Sequence, residues 1–131
     1  MRTDNDTNVL TSFAIEVSEE NKALNILIKH DYYSSDNDNG RFLLKQIIRS
    51  ILESETRIGT VIIVDTGVRL LETSDDMIML ISNSVVTFIC EQSLSFYEVS
   101  PADAANTKIQ YISGAETADL ILEIKPDIII E

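Results

Sequence analysis

The chain has one cysteine and one histidine in 131 residues, so thiol chemistry rests on Cys90 and imidazole chemistry on His30. Cys90 closes the apolar run Val85-Val86-Thr87-Phe88-Ile89 and opens onto Glu91-Gln92-Ser93-Leu94-Ser95-Phe96-Tyr97. Such a run reads as a buried strand, and in open α/β folds the edge where buried strands leave the sheet carries the binding sites. A thiol there becomes a nucleophile when free amides of a following helix favour its thiolate and lower its pKa from about 8.5. Glu91 works against that shift, and a free cysteine is also a common small hydrophobe of protein cores. His30 follows the apolar run Ala23-Leu24-Asn25-Ile26-Leu27-Ile28 at the same expected edge as Asp65, which makes it a candidate base for Cys90. Strand order decides whether the two meet, and the sequence leaves that order open.

The carboxylates Asp31, Asp36, Asp38 and Asp65 also fall near strand ends, an arrangement similar to the acidic pocket of phosphoacceptor receiver domains. The strand after the second helix ends in Cys90 and not in aspartate, so the phosphoacceptor is missing and these acids read as caps of helices and turns. Neither G-x-G-x-x-G nor G-x-x-x-x-G-K-[ST] occurs, and no G-x-S-x-G elbow, so dinucleotide, P-loop and serine-hydrolase readings drop out. No second His or Cys stands at metal-ligand spacing; neither a metal nor another cofactor is expected. Ten basic residues against 22 acidic ones give a net charge of -12, which repels phosphate backbones and anionic lipids and argues against nucleic-acid or membrane partners. A single cysteine forms no internal disulfide, no apolar leader opens the chain, and the longest apolar runs, at 61–64 and 128–130, are far too short to span a bilayer. A cytoplasmic location is the expectation.

The elements that must position Cys90 and His30 follow from the hydrophobic periods. Residues 1–8 are polar and read as a flexible tail, and residues 9–131 as a single domain. Val9, Leu10, Phe13, Ile15 and Val17 alternate in part, predicting an extra N-terminal strand that leads as a hairpin into the central strand at 23–28. A turn-rich segment at 31–39 precedes the clearest helix, in which Leu43, Leu44, Ile47, Ile48, Ile51 and Leu52 recur at helical spacing. Thr60-Val61-Ile62-Ile63-Val64 reads as a strand covered on both faces, stopped by Asp65-Thr66-Gly67. Thr73-Ser74-Asp75-Asp76 caps a short helix, and Ser100-Pro101 opens a helical turn through Asn106. Residues 108–112 form a strand, Ser113 and Glu116 a capping box, and Pro126 a stop before the last strand, Ile128-Ile129-Ile130. The alternation predicts a three-layer α/β/α domain with a mainly parallel sheet of about five strands and right-handed crossovers.

Three stretches carry a family resemblance. Gly40-Arg41-Phe42-Leu43-Leu44-Lys45, after the acidic loop 36–39, resembles the first-helix opening of the DsrE/DsrF-like family. Thr60-Val61-Ile62-Ile63-Val64-Asp65-Thr66-Gly67-Val68-Arg69-Leu70 resembles its strand with an N-S-G-V-K-L type turn, and Cys90-Glu91-Gln92-Ser93-Leu94-Ser95-Phe96-Tyr97 resembles C-G-T-C-L-x-F-Y. Within the family the chain is most similar to the C-terminal domain of YedF-type proteins of sulfur and selenium metabolism. The resemblance spans roughly residues 25–122. It implies a sulfur-relay protein that carries persulfide on Cys90, exchanges it with sulfur-transfer proteins or a small persulfide donor, and assembles as a homo-oligomer. His30 and Asp65 are then neighbours of the thiol, and Asp31, Asp65, Gln92 and Ser93 the binding residues. The chain departs from the pattern at two positions: Ser93 stands where the second thiol belongs, which removes an intramolecular disulfide cycle, and Glu91 replaces glycine. A non-catalytic binding or assembly module that has lost the dithiol is the alternative, and a small-ligand sensor with loop 31–39 as its lid a third.

Overall fold

Isoleucine, valine and leucine dominate the central strand pair and the last strand of the computed structural model, which describes residues 22–100 and 108–131. The segments where the sequence predicts a flexible tail (1–8), an extra strand (9–17) and a helical turn (101–106) lie outside the described residues. The described elements are β1 (Leu24–Ile28), α1 (Asp38–Glu53), β2 (Ile58–Ile63), a 3-10 turn (Asp65–Arg69), α2 (Leu70–Thr73), α3 (Asp75–Asn83), β3 (Ser84–Cys90), α4 (Glu91–Phe96), β4 (Ile109–Ile112), α5 (Gly114–Ile124) and β5 (Ile128–Ile130). The sheet has the order β4-β3-β2-β1-β5, and every described pair is parallel.

Side chains alternate across each strand, so one register row defines each face. Ile130, Ile28, Ile63, Ile89 and Tyr111 are aligned across the sheet. On that face α1 brings Leu44, Ile48 and Ile51 and α3 brings Met77, Leu80 and Ile81, all buried in one core with Ile28, Ile63 and Ile89. The intervening residues Leu27 and Ile62 are also buried and point to the opposite face, which accounts for the unbroken apolar runs of β1 and β2. α5 lies on that second face, where its one buried residue is Thr117. The result is a three-layer α/β/α arrangement.

The caps follow local chemistry. The Asn37 side chain accepts the Gly40 amide at 2.9 Å and starts α1 at Asp38, five residues before Leu43, the first apolar residue of its period. A Cβ on Gly40 would strike the Ser35 carbonyl, so glycine lets the acidic loop fold onto the first turn of α1. Ser74 caps α3, and Ser113 with Glu116 forms the reciprocal capping box of α5. Lys125, at φ 54°, closes α5 in the left-handed conformation before Pro126.

Because the strands are parallel and in register, their carboxyl ends share one edge. Cys90 ends β3, Asp65 follows β2 by two residues, and His30 follows β1 by two. β2 lies between β1 and β3, which separates the backbones at His30 and Cys90 by roughly 9–10 Å of sheet. Replacement of the fully buried Ile63 by alanine is expected to cost about 2–5 kcal/mol, whereas Val85→Ala, at an exposed strand start, shifts stability by less than about 1 kcal/mol. Urea denaturation midpoints of the two variants check the contrast.

Candidate functional site

The turn after β2 organises the edge. Asp65 adopts φ 51°, a left-handed conformation that aspartate tolerates better than most residues with a side chain. The chain thereby reverses into the 3-10 turn, and the Asp65 amide donates to Ser93 Oγ at 2.8 Å. One hydrogen bond thus fastens the end of β2 to the helix that follows β3. Gly67 sits against β1, where a Cβ would lie 2.8 Å from the Ile28 carbonyl oxygen, so the turn packs closely beside the neighbouring strand.

Cys90 is only 6% exposed, yet it lines an open cleft of about 530 Å³ between α4, the turn after β2 and α5. Asp65, Gln92, Ser93 and Tyr97 form its polar side, and Phe96, Ala118 and Ile121 its apolar side. Burial alone pushes the thiol pKa up. The Ser93 hydroxyl and amide, the Thr117 hydroxyl and the Gln92 amide lie near enough to favour the thiolate and outweigh burial, so the thiol lies below its ordinary value, although the Cys90 side chain makes no capping hydrogen bond to the first turn of α4. The four donors do not act alike. Thr117 Oγ1 donates its single proton to the Ser113 carbonyl at 2.7 Å, so it reaches Cys90 only by giving that bond up. Ser93 Oγ accepts from the Asp65 amide and keeps its own proton free for the sulfur. Ser93 is therefore the main support of the thiolate.

The second half of the edge is a carboxylate network. Tyr97 donates its hydroxyl to Asp65 Oδ1 at 2.7 Å, a bond that holds the tyrosine above its ordinary pKa and keeps it a donor. The Arg69 guanidinium lies 4.7 Å from the centre of the Tyr97 ring, and Phe96 meets the same ring edge-on at 4.9 Å. His30 Nδ1 is 3.2 Å from Thr66 Oγ1 and 3.5 Å from Asp65 Oδ2, and the His30 ring stacks on Tyr32 at 4.7 Å.

The candidate residues thus divide. Asp65, Gln92 and Ser93 gather at Cys90. His30 does not line the cleft; it reaches Asp65 and Thr66, and β2 stands between it and the thiol. Asp31 faces a separate cleft of about 450 Å³ beside α1, with Arg41 and Lys45. Asp36 and Asp38 pair with Arg41 at 3.0 and 3.5 Å on the exposed start of α1. Thr117 and the carboxylate-bound Tyr97 take part without having been singled out by the sequence. Thr117 stands on a different helix, 27 positions from Cys90, and the one signal it offers is its place four residues after the helix-capping Ser113. Among the described residues no three of His, Cys, Asp and Glu gather to hold a metal ion, and no helix is long and apolar enough to cross a membrane.

No family model, no curated protein and no solved structure matches the chain. The site therefore rests on its own geometry. Ser93→Ala is expected to slow Cys90 alkylation by iodoacetamide near neutral pH several-fold and to move its pH midpoint upward. The sign follows from the loss of a donor to the thiolate, and rates read by mass spectrometry across a pH series check it.

Proposed function

We propose that the protein relays sulfur in the manner of DsrE-like proteins, with Cys90 as the single carrier thiol. The observation that carries this reading is a nucleophile-type residue at the carboxyl edge of a parallel sheet, lining an open cleft and surrounded by donors to its thiolate. In the forward step the Cys90 thiolate attacks the outer sulfur of a donor persulfide. A new S–S bond forms at Cys90, the donor S–S bond breaks, and the donor leaves as a thiolate that takes up a proton from solvent. An acceptor thiolate then attacks the outer sulfur of the Cys90 persulfide and releases the Cys90 thiolate. The sulfane sulfur changes carriers, and no external oxidant or reductant is consumed.

Ser93 defines which version of the chemistry the site supports. With a hydroxyl in place of a second thiol, no internal disulfide resolves the persulfide, so the acceptor must supply the attacking sulfur. The hydroxyl instead serves the outgoing or incoming Cys90 thiolate as a donor. His30 belongs in this scheme to the Asp65 network and not to the proton transfers at sulfur, given its place beyond β2.

One observation favours a second reading, a binding or assembly module without sulfur transfer. Ser93 Oγ also has a structural job, since it accepts the Asp65 amide and ties the turn after β2 to α4. A fold that retained this tie and the cleft would still bind after losing the chemistry.

Incubation of the reduced protein with a persulfide donor, followed by alkylation and intact-mass analysis, is expected to show one added sulfur on Cys90 and none in Cys90→Ser. A native protein whose Cys90 alkylates freely but takes up no sulfur would overturn the relay and leave the binding reading.

A further inference from the structure

The cleft beside Cys90 has an uneven composition that points to the chemistry of what enters it. Asp65 is the one charged residue among the described residues that line it, and its side chain is 49% exposed. Its Oδ1 is held by Tyr97, so the carboxylate keeps a fixed place in the wall. Two basic side chains back this network without lining the cleft: Arg69 lies over the Tyr97 ring, and His30 Nδ1 is 3.5 Å from Asp65 Oδ2. Glu91 and Glu116 stand close by in the first turns of α4 and α5, and the Glu116 carboxylate is turned back to the Ser113 amide. The opposite wall is hydrocarbon. Phe96 is 77% exposed at the lip, and Ala118 and Ile121 continue the apolar surface along α5. Leu122, 75% exposed, follows on the next helical position.

From this arrangement we infer that the Cys90 cleft takes a neutral or cationic sulfur compound with an apolar portion, and rejects small anions. The inference rests on the relay reading for the role of Cys90 and adds the class of reactant. The apolar portion lies against Phe96, Ala118 and Ile121, and the polar or positive end meets Asp65. An anion entering the cleft meets the Asp65 carboxylate in its wall and finds no lining cation to offset it. At intermediate screening, one wall charge changes an ion's encounter by roughly threefold in either direction, so a cation and an anion differ by about tenfold. The overall charge of -12 acts in the same direction but from all sides, so neutralising Asp65 alone separates the local effect from the general one.

Two methanethiosulfonate reagents of similar size test this on the native chain, one carrying an aminoethyl cation and the other a sulfonatoethyl anion. With each, the Cys90 thiolate displaces methanesulfinate and forms a mixed disulfide, and rates are normalised to those of a small neutral thiol. The cationic reagent is expected to react about tenfold faster than the anionic one at low salt. Asp65→Asn is expected to cut that ratio at least threefold, while Glu123→Gln, on exposed α5 surface, leaves it unchanged. If Asp65→Asn does not fold, Asp65→Ser takes its place. Equal normalised rates, or a ratio indifferent to Asp65, would overturn the inference with the relay reading intact. Failure of every reagent to reach Cys90 in the folded protein would overturn the relay reading itself.

Discussion

The hydrogen bond from the Asp65 amide to the Ser93 hydroxyl is the interaction on which the site depends. It joins the turn after β2 to α4, segments distant in sequence and adjacent in space, and it leaves the Ser93 proton unused by that bond. A serine hydroxyl has one proton to give. With the amide occupying an acceptor position, that proton is available to Cys90 and offsets the desolvation that burial imposes on the thiolate. The same backbone turn places the Asp65 carboxylate in the wall of the cleft, where Tyr97 holds it. Support of the Cys90 thiolate and the one charge of the cleft wall thus share one residue, the first through its main chain and the second through its side chain.

The sheet makes this possible through register. Ile28, Ile63 and Ile89 stand level, so the chain leaves β1, β2 and β3 at one edge, and each loop meets its neighbour within one strand spacing. The isoleucines of that row are fully buried, and each contributes on the order of 2–3 kcal/mol to the stability of the core beneath the edge. Strand order also limits the chemistry. β2 separates His30 from Cys90, so the imidazole serves Asp65 and Thr66, and thiolate formation falls to hydroxyl and amide donors.

Much of the fold was legible because its signals are local. The β-branched run at 61–64, the helical spacing of Leu44, Ile48 and Ile51, and the Ser113–Glu116 capping box each report an element through chemistry within a few residues. The all-parallel order follows from helices between strands. The candidate site was legible only in its strand-end residues. Cys90, Asp65, Gln92 and Ser93 come together because strand ends converge, whereas Asp31, two residues beyond Lys29, turns to the other side of the sheet edge and faces a different cleft. The pairing of His30 with Asp65 in place of Cys90 depended on strand order, a long-range property that hydrophobic period does not encode. Thr117 and the carboxylate bond of Tyr97 were hidden for the same reason, since each meets its partner across the fold.

Sulfur chemistry at this edge requires Cys90 to be a thiolate more readily than a free cysteine is, despite its burial. The most direct measurement is the ultraviolet absorbance of the thiolate followed through a pH titration of the native protein, with Cys90→Ser subtracted as the blank. A midpoint below that of an unstructured cysteine peptide agrees with the donors around the sulfur. A midpoint at or above the peptide value would contradict the account, because burial would then outweigh Ser93 and leave the sulfur a neutral occupant of the core.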